Sequence, residues 1–161
     1  ARHEAGVVVV LHGRRTDGEA LREARLQNFL PASVPVVVGD RAEPMPQGPL
    51  DVAAEALRLS PNIDTLICNA GTFIDQPFLE MDFSIFDRTL KLNVYSQYVL
   101  IQHFARLWVL RGVRGRILLI VSINGCLSDP THFDSDTYKA PIAAMTRLLC
   151  VTLSPPSMRV T

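Results

Sequence analysis

The chain has 161 residues, 48% of them hydrophobic, which suits a single domain over residues 1–161 burying roughly 70% of the surface its unfolded form exposes. Lysine plus arginine and aspartate plus glutamate number sixteen each, so no net field draws the chain to nucleic acid or to a membrane surface. No run of about 20 apolar residues is present and the N-terminus has no signal-peptide pattern, while Cys68, Cys126 and Cys150 lack metal-ligand spacing; a soluble, cytoplasmic protein without a metal site is expected.

Val7 to Leu11 is a β-branched, uninterrupted run, the pattern of a buried strand, and it ends in His12-Gly13-Arg14-Arg15. Thr16 or Asp17 caps a following helix whose apolar side is Ala20, Leu21, Ala24 and Leu26. Val34 to Gly39 is a second strand, ending at Asp40. A Pro- and Gly-containing loop over Glu43 to Pro49 leads to a short helix from Leu50 to Leu59. Ile63 to Cys68 is a third strand, running into Asn69-Ala70-Gly71. Strands alternating with helices at this spacing predict βαβ units and a parallel sheet.

A long helix starts at Asp82 or Ser84 and reaches about Leu110, with an apolar stripe through Phe86, Leu90, Val94, Ile101, Phe104 and Trp108. Asn93 and Gln97 interrupt the stripe, and a buried amide needs hydrogen-bond partners; Gln97 reads as an interface or edge position. Ile117 to Val121 is another buried strand, ending in Ser122-Ile123-Asn124-Gly125. A helical pattern opens at Lys139 and runs through Met145 and Leu149, and Pro141 suggests that the regular helix begins near Ala140, leaving Tyr138 and Lys139 in a loose lead-in. Met158 to Val160 begins a further strand. His103 and His132 have no metal-ligand or triad partner at recognisable spacing.

Three features resemble the short-chain dehydrogenase/reductase family. They are the strand-plus-serine run Gly115 to Gly125 with Lys139 downstream, the segment Cys68-Asn69-Ala70-Gly71, which is similar to an Asn-Asn-Ala-Gly signature, and Asn93 in Leu90-Lys91-Leu92-Asn93-Val94. The resemblance implies an α/β fold with a doubly wound parallel, Rossmann-like sheet. The family's first strand with its Gly-rich turn and its C-terminal elements find no counterpart, so a domain truncated at both ends is expected. It also implies an oxidoreductase transferring hydride between a nicotinamide and a small carbonyl or alcohol.

On that resemblance the cofactor corner is Arg14 and Arg15, with Asp40 toward the adenine and Asn69, Ala70 and Gly71 beside the dinucleotide. An acidic residue at such a corner selects the free ribose 2′-hydroxyl, whereas arginine accepts a 2′-phosphate, so NADP is favoured over NAD. Ser122 would polarise the carbonyl, Lys139 would hold the nicotinamide ribose and lower a phenol's pKa, and Asn93 would keep a relay water. The proton donor is where this chain departs from the pattern. If Tyr138 is the family tyrosine, Ile142 stands where the lysine belongs. If Lys139 is the family lysine, Ser135 stands where the tyrosine belongs, and Tyr138 and Ser135 have changed places. The alternative is a non-catalytic dinucleotide-binding or assembly module. In either case the 82–110 helix is a plausible surface for a homo-oligomer.

Overall fold

A computed structural model describes residues 9–11, 36–38, 44–69, 71–72, 76–122, 133–155 and 157–161, with backbone alone at 9–11, 36–38 and 133–136. The chain divides into two compact units, residues 1–63 and 64–161.

In the first unit, β1 (Val9–Leu11) and β2 (Val36–Val38) pair in parallel, with Val9 opposite Val36 and Leu11 opposite Val38. Both are short runs dominated by β-branched valine, as a pleated surface favours. Helix α1 (Gln47–Leu59) starts earlier than Leu50, because Pro49 lies in the first turn, where amide hydrogens have no intrahelical acceptor to lose. Its buried side is Val52, Ala53 and Ala56, and Ile63 packs against Val52 and Ala56. That contact takes Ile63 out of the third strand, which begins at Thr65 instead.

The second unit contains β3 (Thr65–Cys68), β4 (Arg116–Leu119) and β5 (Arg159–Val160), all parallel in the order β3-β4-β5. The ladder extends past the strand ends, with Ile120 donating its amide to the Cys68 carbonyl at 3.1 Å. Ile117 and Leu119 are buried, but Ile120 is 38% and Ile67 57% exposed. The run expected to be buried is therefore buried at Ile117 and Leu119 and exposed at its carboxyl end, at Ile120. An unbroken apolar run does not distinguish buried from exposed positions within it.

The long helix expected from 82 to 110 is three consecutive pieces. Asp82 caps α2 (Phe83–Leu90), its carboxylate accepting from the Ser84 amide at 2.7 Å. A single wide π turn (Lys91–Tyr95) follows, and then α3 (Ser96–Arg111), closed by Gly112 at φ 62°, a left-handed conformation that glycine adopts without penalty. A π turn shifts the phase of a helical face. Thr89, Leu92, Asn93, Ser96 and Gln97 are consequently the buried residues here, while Phe86, Leu90 and Val94 are half-buried. From Ile101 through Phe104 to Trp108 the expected stripe is found in the core. Gln97 is 3% exposed, so it is no edge position; the structure offers no account of its partnerless Oε1 among the described residues.

Helix α4 (Phe133–Leu153) runs straight through Pro141, so the start expected near Ala140 is corrected to Phe133. Proline inside a helix costs about 3 kcal/mol. Tyr138 and Ile142, buried on either side of it, hold the turns together by packing. Among the described residues no helix is long and apolar enough to cross a membrane.

Candidate active site

Of the residues expected from the motifs, Asn69, Gly71, Asn93, Ser122 and Lys139 lie at the carboxyl ends of β3 and β4, the edge at which open α/β sheets take ligands. Beyond β3, Asn69 is exposed and the chain passes into Gly71 and Thr72. Asn93 reaches this turn from the π turn, 21 residues away in sequence. Its Oδ1 accepts the Thr72 amide at 2.8 Å, and its Nδ2 donates to the Thr72 carbonyl at 2.6 Å. The side chain is 1% exposed and both ends of its amide are used on one backbone residue. A β-carbon on Gly71 would stand 2.8 Å from Asn93 Oδ1, so the turn closes this tightly only with glycine there. Thr72 itself was missed in the sequence, because it contributes backbone groups that every residue carries.

β4 leads through Ile120 and Val121 to Ser122, which is half-buried. Lys139 comes from the second turn of α4 onto the same strand end, its ammonium donating to the Ile120 carbonyl over a long 3.4 Å. The ammonium also lies 5.4 Å from the centre of the Tyr138 ring. Burial pushes the Lys139 pKa below the ordinary lysine range. Tyr138 is 3% exposed and belongs to the core of the second unit. Ser135 lies one helical turn before Lys139, with its backbone in α4. Arg14, Arg15, Asp40 and Ala70 lie outside the described residues. No group of His, Cys, Asp and Glu able to hold a metal ion occurs among the described residues.

A family model described as short chain dehydrogenase matches residues 3–161. The chain belongs to the short-chain dehydrogenase family. A glucose 1-dehydrogenase of Gluconobacter oxydans is 24% identical over 157 residues, covering 98% of this chain and 58% of that protein. A human L-xylulose reductase is 27% identical over 155 residues, covering 96% of this chain and 63% of its own length. The chain thus spans less than two thirds of these relatives. Among solved structures, LigO of a Sphingobium species in its apo form superposes with a TM-score of 0.81 at 22% identity, covering 94% of this chain and 55% of that one. A short chain dehydrogenase of Bacillus anthracis gives 0.82 at 23% identity, covering 94% and 62%. These likenesses establish the doubly wound, Rossmann-like α/β fold.

Members of the short-chain dehydrogenase family use a nicotinamide dinucleotide, and the residues present fit the nicotinamide half of one. Gly71 presents bare backbone at the end of β3, beside the Asn93 clamp on Thr72. Lys139 has three N–H donors and gives one, weakly, to Ile120 among the described residues.

Proposed function

We propose that this chain carries the site of an NADP(H)-dependent oxidoreductase that moves hydride between a nicotinamide and a small carbonyl or alcohol. The observation that carries the reading is the Lys139 ammonium on Ile120, two residues before Ser122. It brings an ammonium and a hydroxyl-bearing strand end to one edge of the sheet, beside the turn that Asn93 holds. A bound nicotinamide would supply or take up the hydride. Lys139 would hold its ribose, with Asn69, Ala70 and Gly71 alongside. Ser122 would hydrogen-bond the substrate oxygen, Asn93 would keep a relay water, and Tyr138 would be the proton donor. Arg14 and Arg15 would take a 2′-phosphate and Asp40 the adenine, and residues 1–161 would act as one Rossmann-like domain. A relative named for both NAD(P)(+) and L-rhamnose, and another named for NADP(+), support this cofactor class. A cytoplasmic location belongs to the same proposal, in keeping with the free thiols of Cys68 and Cys150.

The second reading, a dinucleotide-binding or assembly module without turnover, is favoured by one observation. Tyr138 sits in the core on a continuous helix and not in a loose lead-in free to swing toward Ser122. Titrating NADPH and NADH by calorimetry, followed by a carbonyl panel, separates the two. NADPH is expected to bind more tightly, and replacing Arg14 and Arg15 together by alanine should remove about tenfold or more of that preference, the scale of one charge-assisted phosphate contact. Binding without turnover selects the module; no binding of either nucleotide overturns both readings.

A second copy of the chain is the proposed partner of α3 and α4. Between them lies an apolar groove of about 500 Å³ lined by Tyr98, Ile101, Ala105, Val109, Met145 and Leu149. Leu110, Leu148 and Val151 add apolar surface that is 84%, 69% and 77% exposed, more than scattered single residues explain. Sedimentation should report a dimer or larger, and Leu110→Glu should weaken the association by about tenfold or more. A wild-type chain that stays monomeric at high concentration sinks the idea.

A further inference from the structure

We infer that the association of two copies through α3 and α4 is governed by a multivalent oxyanion, such as phosphate or pyrophosphate, held at Arg106. This rests on the proposed dimer and adds the ligand that its closure requires. Among the described residues the groove between the two helices is apolar except for one ladder on α3. Tyr98, Gln102 and Arg106 stand four residues apart, so they follow one another along a single helix face. The Gln102 side-chain amide donates to the Tyr98 hydroxyl oxygen at 2.9 Å. The Tyr98 O–H and the Arg106 guanidinium are then the donors presented at the groove. Arg106 is exposed in the single chain. Helix α3 contains no acidic residue and α4 none after Asp136, so neither wall of the groove offers Arg106 a carboxylate.

A guanidinium in water needs no partner, but one covered by a second chain loses its hydration and needs a counter-charge. Closed pairs of identical chains are most often two-fold, and a two-fold contact sets one patch against itself. The second copy therefore brings its own Arg106 to the interface, and again no carboxylate from α3. Like charges repel more strongly as water leaves the groove, so the apolar surfaces alone close it poorly. A multivalent oxyanion meets both needs. Its oxygens accept from the planar guanidinium forks and from the Tyr98 O–H, and its charge offsets both arginines. No covalent step is involved, and neither a dinucleotide nor Lys139 takes part.

The test is sedimentation equilibrium of the native chain in millimolar pyrophosphate against sodium chloride of equal ionic strength. So low a concentration keeps general salt effects on apolar burial out of the comparison. The dimer dissociation constant should be about tenfold or more lower in pyrophosphate, the scale of one charge-assisted contact. Arg106→Gln should dimerise in chloride unaided and lose the response to pyrophosphate, while its circular dichroism remains native. Should that variant not fold, calorimetry on the wild type decides: pyrophosphate affinity should rise with chain concentration, as linkage to dimerisation requires. A wild-type dimer equally tight in both salts would overturn the anion's role and leave the dimer standing. A pyrophosphate response that persists in Arg106→Gln, or an affinity independent of chain concentration, would place the anion elsewhere and overturn it too. A chain that is monomeric in every condition sinks the dimer and the anion site together.

Discussion

Gly115→Ala is expected to destabilise the chain by more than about 3 kcal/mol, beyond the usual range for an overpacked core. Gly115 immediately precedes β4 and lies against Trp108, the most deeply buried large side chain of α3, with no exposed surface. A β-carbon built on Gly115 falls well inside van der Waals contact with three atoms of the indole ring. The ring has nowhere to go, because Phe104 packs against it with centroids 5.7 Å apart and the Trp108 carbonyl accepts the Val113 amide at 2.9 Å. Backbone at residue 115 is equally committed: its amide donates to Val113 and its carbonyl accepts from Arg159 in β5. Against a typical total stability of 5–15 kcal/mol, so large a loss should move the denaturant midpoint far down, or abolish a cooperative transition. In the Gly115→Ala, Trp108→Leu double variant the two losses should be less than additive, since the smaller side chain makes room for the methyl. A Gly115→Ala midpoint equal to that of the wild type would mean that Trp108 does not lie over this glycine.

The second large effect is expected at Asn93. Asn93→Ala removes both hydrogen bonds to Thr72 and leaves a part-buried amide and carbonyl without partners, a loss of about 2–4 kcal/mol. Asn93→Asp is nearly isosteric and distinguishes this clamp from simple packing. Its carboxylate still accepts the Thr72 amide, but the second oxygen now faces the Thr72 carbonyl, and two acceptors repel. Protonation would restore a donor, so the aspartate's pKa is raised in the folded state. The penalty is then absent below the unfolded carboxylate pKa of about 4 and develops as pH rises through the folded value. Denaturation of Asn93→Asp relative to wild type should therefore show a deficit that shrinks on acidification. A deficit independent of pH would leave only a packing role. On the proposed function, both variants should also weaken NADPH binding, because the turn carrying Gly71 loses its anchor.

The β-branched and aliphatic runs were enough, by themselves, to announce five strands and their parallel arrangement, since strand formation follows local composition and parallel pairing follows from the helices between. Motif reading likewise put Ser122 at a strand end and Asn93 in the helical segment after Asp82, whereas Lys139, expected in a loose lead-in, lies inside α4. Tertiary structure decided their contacts. The partners of Asn93 are backbone groups of Thr72, which no side-chain motif encodes. Phase along 83–111 depends on the π turn, where the buried face shifts because Asn93 is drawn toward the β3 turn while Leu92 and Ser96 stay in the core. Pro141 reads locally as a helix start, yet burial of Tyr138 and Ile142 outweighs its cost and carries α4 back to Phe133. That same burial takes Tyr138 into the core beside Lys139. Local sequence sets which backbone states are cheap, but only packing between distant segments determines which of them the folded chain adopts.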